Sequence, residues 1–323
     1  MSENTLKEKT AKGLMWGTIS NGAQLVLGTL FGIFLARILS PSDYGMVGLL
    51  TVFSQIASVL QDSGFRTALA NRREIVHEDY NAVFWFNVGT SCVMYLLLFF
   101  LAPLITEFYQ HSDAAANQDL SELTPLARFS FLGFVIASLG TAHYAYLFRT
   151  LQVKQKAIIT VISLTTSSTI GLTMALKGYA YWGLATQGIA FTTCNTILFW
   201  YFSKWRPTLP VSFHPLKEMF GFSSKLLAND ICNNINGNIL SVMLGRFYAV
   251  HDVGLYNQAN KWTSMVSTMV LGTIKDVAQP VLRNVETERE RHKRVFRKML
   301  RFNAFMVFPA LFGLALISRE LIL

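Results

Sequence analysis

The chemistry in this sequence gathers in the stretch Asn229-Asp230-Ile231-Cys232-Asn233-Asn234-Ile235-Asn236-Gly237-Asn238, a run of carboxamides around one carboxylate inside an otherwise apolar segment. Asp230, Asn233 and Asn234 fall within one helical turn of each other, so a helix places them on one face. A carboxylate left against lipid at that depth costs about 2.5–3.5 kcal/mol on insertion scales, so the face is expected to turn inward. Two uses fit it. One is a polar cavity lining that contacts the hydroxyls of a ligand or a coupling cation. The other is an interhelical hydrogen-bond cluster, worth about 0.6 kcal/mol per bond. Lys261 lies about two turns into the next apolar run, where it can face the same cavity, attract a phosphate group, pair with Asp230 or snorkel.

Arg37 and Arg246 form a second constellation, because each is followed six positions later by an aspartate, Asp43 and Asp252. A planar guanidinium binds phosphate bidentately, which suits a pyrophosphate. Snorkelling of an arginine near a helix end, with the aspartate capping the next helix, accounts for the same residues without a ligand. Asp62, Arg66 and Arg149 flank the ends of the second and fourth apolar runs and read as a gate or as interfacial anchors. The six histidines are scattered, and Cys92, Cys194 and Cys232 lie in apolar runs without a CxxC pair, so no metal site or disulfide framework is expected. No paired carboxylates or metal-binding acidic motif suggest a membrane enzyme. The expectation is a protein that makes no covalent bond and needs no cofactor.

The elements that must position these residues are membrane-spanning helices. The hydrophobic fraction is 52% and the charged fraction 15%, against about a quarter charged in a soluble domain. The apolar residues are collected into runs of the roughly 20 residues a helix needs to cross a bilayer. Nine spans are expected, near 13–36, 45–63, 82–103, 126–147, 157–177, 181–202, 219–244, 255–274 and 302–318. The polar first twelve residues precede an apolar run too long for a cleaved signal peptide. With the N-terminus in the cytoplasm, the inner segments hold 22 of the 28 lysines and arginines and the outer ones 6, a strong positive-inside bias. The tryptophans fall mostly near span ends, as an interfacial belt does. Gly13/Gly17 and Gly28/Gly32 read as helix-packing pairs.

The segment Gly28–Gly45 aligns without a gap to Gly237–Gly254, 209 positions on, with identities at Gly28/Gly237, Leu35/Leu244, Arg37/Arg246, Asp43/Asp252 and Gly45/Gly254. Six spans separate the copies, so both have the same orientation. Parallel repeats of this kind build many transporters. The expected architecture is all-α and polytopic, with a six-helix lobe over 1–209 and the first three helices of a second lobe over 210–323. A complete second lobe would need roughly another 95 residues.

A family resemblance runs through the chain in order: Leu35-Ala-Arg-Ile-Leu-Ser-Pro-Ser-Asp-Tyr-Gly45, Asp62-Ser-Gly-Phe65, Phe84-Trp-Phe-Asn87, Ala102-Pro103 with Phe108-Tyr109, Tyr181-Trp-Gly-Leu184, Trp205-Arg-Pro207, and Gly245-Arg-Phe-Tyr248 with Gly254-Leu-Tyr256. Together these resemble the polysaccharide transport branch, the O-antigen, capsule and colanic-acid-type flippases, of the multidrug/oligosaccharidyl-lipid/polysaccharide exporter superfamily. The resemblance implies two six-helix lobes, alternating access in the bacterial inner membrane, and an undecaprenyl-pyrophosphate-linked oligosaccharide as cargo. It also implies the polysaccharide polymerase machinery as a neighbour. A cation-coupled multidrug exporter of the same superfamily and a polyprenyl-dependent membrane enzyme are the competing readings. Segment 283–301 carries eight basic and three acidic residues. It is read as a helix on anionic lipid headgroups, where each basic residue gains about 1 kcal/mol, and not as a nucleic-acid site.

Overall fold

The computed structural model of the chain describes residues 3–62, 65, 69, 75–110, 120–150, 152–209, 212–265, 289–316 and 318, and the regular structure among them is helical. Helix α1 runs Glu3–Ile38, α2 Pro41–Asp62, α3 His77–Gln110, α4 Leu123–Arg149, α5 Val153–Leu176, α6 Ala180–Phe202 and α7 His214–Phe247. Helix α8 covers 250–265 and α9 covers Arg289–Leu316. Two compact units divide these, Met1–Gly254 and Leu255–Leu323.

Among the described residues, five segments are long and apolar enough to cross a membrane: Ser20–Ile38, Pro41–Leu60, His77–Gln110, Leu123–Arg149 and Val153–Leu176. They coincide with the first five expected spans. Helices α6 and α7 are long enough, at 23 and 34 residues, but their carboxamides and hydroxyls lower their hydropathy. The last two expected spans run into residues outside those described. Helix α3 shows what the bilayer asks of a surface. It exposes Val93, Leu97, Phe100 and Leu104, and buries Leu98, Ala102, Ile105 and Tyr109. Both sets follow helical spacing, so the helix is apolar on its outer face as well as its inner one, as a lipid-facing helix is.

Within the first unit, α1 packs on α5, α5 on α6, α3 on α4, and α4 on α6, while α2 lies against α4, α6 and α7. Local signals place the ends. The nitrogen and hydroxyl of Ser40 donate to Asp43 Oδ2 at 2.8 and 2.7 Å, and the Asp43 nitrogen donates back to Ser40 Oγ at 3.3 Å. This capping box, with Pro41 at the first helical position, starts α2. Gly178, at φ +83°, ends α5. The Tyr179 nitrogen reaches the Met174 carbonyl at 3.1 Å and the Gly178 nitrogen reaches that of Ala175 at 3.0 Å, a Schellman turn that reverses the chain into α6.

Among the described residues, two large apolar cores and a smaller one of Leu35, Leu39 and Ala175 fill the first unit, and the two large ones matter for the site. One joins Leu49 and Leu50 of α2, Ala102 and Tyr109 of α3, and Leu126 and Phe131 of α4. The other gathers Tyr80 and Phe84 of α3, Ala142 and Ala145 of α4, Trp205, and Leu216 and Met219 of α7. The connector from α6 to α7 is fastened to this second core. Asn81 Nδ2 donates to the Thr208 carbonyl and the Thr208 nitrogen donates to Asn81 Oδ1, both at 2.9 Å. Trp85 Nε1 adds a bond to the same carbonyl at 3.3 Å.

Candidate functional site

The packing of α2, α4, α5, α6 and α7 leaves a cavity of about 500 Å³. Two of its walls are helical stripes. Ala137, Gly140, Thr141 and Tyr144 of α4 face it, and so do Thr192, Asn195, Thr196 and Phe199 of α6. Both sets follow the i, i+3, i+4, i+7 spacing that puts side chains on one face. Gly140 lets the two walls approach, because a Cβ there would lie 3.2 Å from Thr196 Oγ1 and 3.4 Å from a Phe199 ring carbon. Ser58 and Val59 close the α2 side, and Asp230 of α7 is the one charged group among the described lining residues.

The four wall threonines spend their protons on backbone carbonyls. Thr141, Thr160 and Thr192 donate to the carbonyls of Ala137, Lys156 and Gly188 at 3.3, 2.9 and 3.1 Å. Thr196 donates across the helix boundary to the Ile136 carbonyl at 3.0 Å. This back-bonding is how hydroxyls sit in an apolar helix, and it leaves oxygen lone pairs as the groups on offer. Tyr144 adds a phenol that accepts from Lys156 Nζ at 3.0 Å, with the ammonium 4.2 Å above its ring. Asp230 is exposed, and among the described residues its carboxylate has a single hydrogen bond, at 3.5 Å from Asn229 Nδ2. The wall is therefore rich in acceptors and carries one negative charge, which suits a ligand dense in hydroxyl donors.

The residues singled out in the sequence fall as follows. Asp230 lines the cavity; Asn233 is exposed and Asn234 donates to the Asp230 carbonyl at 2.8 Å, and neither lines it. Asn238 continues this side-chain ladder to the Asn234 carbonyl at 2.9 Å and bonds Gln55 Oε1 of α2 at 2.7 Å. Arg37 is exposed at the end of α1, while Arg246 sits with its guanidinium 5.4 Å from the Phe108 ring. Lys261 is exposed in the second unit. Arg149 donates to the Leu69 carbonyl at 3.3 Å. Arg66 and the side chain of Asp62 lie outside the described residues. Sequence reasoning missed the cavity faces of α4 and α6 and Gln55. The α6 face carried a signal in the spacing of Thr192, Asn195 and Thr196, whereas the α4 face of Ala137, Gly140, Thr141 and Tyr144 carried none. In the second unit, Lys293, Arg294, Arg297, Lys298 and Arg301 of α9 border a concavity of about 590 Å³. Among the described residues, no cluster of His, Cys, Asp and Glu could hold a metal ion.

The model of the polysaccharide biosynthesis protein family matches residues 34–323. The chain belongs to that family. Its relatives include the lipopolysaccharide biosynthesis protein WzxC of Escherichia coli (strain K12), 29% identical over 98% of this chain and 63% of the relative. The succinoglycan biosynthesis transport protein ExoT of Rhizobium meliloti (strain 1021) is 26% identical over 96% of this chain and 61% of its own length. The teichuronic acid biosynthesis protein TuaB of Bacillus subtilis (strain 168) is 23% identical over 98% and 64%. The chain thus spans somewhat under two thirds of the length of these family members. Among solved structures, an inward-facing multidrug resistance MATE family transporter of the MOP superfamily superposes with a TM-score of 0.66 at 18% identity, covering 93% of this chain and 71% of that one. The fold is of that transporter type, and this family member is a membrane protein.

Proposed function

We propose that this protein translocates undecaprenyl-pyrophosphate-linked oligosaccharide repeat units across the bacterial inner membrane by alternating access, with its N-terminus in the cytoplasm. The observation that carries the proposal is the cavity walled by threonine, serine and asparagine and closed by Asp230. Sugar hydroxyls donate to its oxygens, and the aromatic faces of Tyr144, Phe191 and Phe199 offer platforms for the apolar faces of the rings. The names of the relatives, which refer to lipopolysaccharide, succinoglycan and teichuronic acid biosynthesis, support a cargo of surface-polysaccharide precursors. In this reading, residues 1–209 are one six-helix lobe and 210–323 belong to the second. Arg37, Arg246 and Lys261 supply positive charge for the pyrophosphate. Asp62, Arg66 and Arg149 work at the cytoplasmic gate, and Asp230, Asn233 and Asn234 of α7 form the polar part of the cargo pathway. The cationic face of α9 rests on anionic lipid headgroups, and the exported repeat units pass to the polymerase machinery. The step breaks no covalent bond, so no residue is assigned a catalytic role.

The acidic group beside aromatic rings also favours a second reading, a cation-coupled multidrug exporter, because an organic cation is attracted by both features. The two separate in one experiment. The complete gene product is expressed in a bacterium lacking its own repeat-unit flippase, and surface polymer and cationic-dye efflux are scored together. Restored polymer with unchanged efflux supports the flippase. Dye efflux without polymer, at normal membrane levels, overturns it in favour of the exporter.

A further inference from the structure

The corner where α1 passes into α2 and the corner where α7 passes into α8 are built alike. The Leu39 nitrogen donates to the Leu35 carbonyl at 2.9 Å, and the Tyr248 nitrogen donates to that of Leu244 at 2.8 Å. The Asp43 nitrogen donates to the Ser40 carbonyl at 3.1 Å, and the Asp252 nitrogen to that of Ala249 at 2.9 Å. At the 209-residue offset each bond maps onto the other.

The two corners also touch reciprocally. A Cβ on Gly45 would fall onto the Val250 carbonyl oxygen and lie 2.7 Å from Val250 Cγ1. A Cβ on Gly254 would fall onto the Pro41 carbonyl oxygen and lie 3.0 Å from the Gly45 nitrogen. At the same offset Gly45 corresponds to Gly254 and Pro41 to Val250, so the contact is self-complementary about a local two-fold axis, the property of an isologous interface. Neither glycine has a positive φ, so the backbone conformation does not require glycine at either position. Glycine weakens a helix interior, and here its use is close approach of one backbone to another.

Behind the contact the helices are sealed. Leu49 and Leu50 are each 1% exposed and Val253 is 0% exposed. The cavity lies at the other end of α2, where Ser58 and Val59 line it, about 20 Å along the helix from Gly45. One end of α2 therefore borders the cavity beside Asp230 and the other is shut by the glycine crossing.

We propose that Gly45 and Gly254 are the paired closure points of a gate at the end of α2 remote from the cavity, and that they must separate for cargo to leave on that side. This rests on the transport reading above. Two alanine variants of the complete gene product test it in membranes, in a background with Cys92, Cys194 and Cys232 replaced by serine. The readout is the rate at which a membrane-impermeant maleimide, applied from the side of the crossing, modifies a cysteine placed at Leu50. Gly45→Ala and Gly254→Ala are expected to raise that rate severalfold. Gly22→Ala, whose Cβ would meet nothing within 4 Å, is expected to leave it alone. An unchanged rate in both gate variants, or an equal rise in Gly22→Ala, overturns the proposal.

If the alanine variants do not accumulate, the parent glycines are kept and cysteines replace Ser42 and His251, the neighbours of Pro41 and Val250. A short reducible bis-thiol cross-linker is expected to stop export, and reduction to restore it. Undiminished export from fully cross-linked protein also overturns the gate. Labelling needs no cargo, so a rise in labelling in the gate variants, with no polymer exported by the parent protein, would sink the flippase reading and leave the gate standing.

Discussion

Replacing Asp230 by asparagine separates the charge of the cavity from its shape. Among the described residues the single hydrogen bond to the carboxylate, from Asn229 Nδ2, is at the 3.5 Å limit for such a bond, and the residue is exposed. Folding therefore draws little from it, and the unfolding midpoint of Asp230→Asn is expected to match the parent. Cargo draws more. A hydrogen bond to a charged acceptor contributes about 1.5–3 kcal/mol and a neutral one about 0.5–1.5 kcal/mol. The substitution keeps an acceptor oxygen in place, so its expected cost is the difference, about 1–1.5 kcal/mol, or about five- to twelvefold in cargo retention. The assay is the initial rate of surface polymer appearance in the flippase-deficient host, at limiting precursor and matched membrane protein levels. Asp230→Ala should lose more than Asp230→Asn. A rate equal to the parent, or a loss matched by a fall in the unfolding midpoint, would refute the assignment of Asp230 to cargo.

Other outcomes can be checked on the same protein. Asn81→Ala removes both 2.9 Å bonds to Thr208 from a side chain only 3% exposed. It is expected to cost about 2–3 kcal/mol, read as a lower unfolding temperature in detergent. Gly171→Ala would set a Cβ 2.9 Å from Gln187 Cβ, 3.0 Å from its Oε1 and 3.2 Å from its Cδ at the α5–α6 contact, and alanine at 187 would remove the last two. Overpacking of about 1–3 kcal/mol should follow, with partial recovery in the double variant that also carries Gln187→Ala. Replacing Lys293, Arg294, Arg297, Lys298 and Arg301 by glutamine is expected to weaken association with anionic vesicles by about 1 kcal/mol per charge. Cosedimentation with neutral vesicles should not change.

Much of the first five helices was legible because an apolar run of bilayer length has few roles besides crossing a bilayer. Asp230 stood out for the opposite reason, as a charge in a place where charge is costly, and it borders the cavity while remaining exposed. What escaped were features whose sequence signal is weak or whose partners are remote. Thr141, Thr192 and Thr196 bond to backbone carbonyls, so a threonine in an apolar helix signals no conflict and its contribution to a cavity goes unnoticed. Asn234 and Asp230 share a turn, but a shared turn does not fix which side chain faces the neighbouring helices, and Asn234 turns back to its own backbone. Gln55 and Asn238 are 183 positions apart, a pairing that no local pattern encodes. Helix ends lie further out than the apolar runs suggest: α3 runs His77–Gln110 against an expected 82–103, since its polar flanks stay helical beyond the apolar stretch.

The bond pair between Asn81 and Thr208 also fixes a length. The side-chain amide holds both backbone polar groups of one residue, as a neighbouring strand would, so the connector after α6 is moored to α3 at Thr208. From there to the first residue of α7, His214, the chain has six steps, which can span at most about 20–22 Å when fully drawn out. Whatever excursion α7 makes relative to α3 must fit within that radius while the mooring holds. The connector is thus a leash of set reach, and it caps how far the helix bearing Asp230 can travel from the wall it faces.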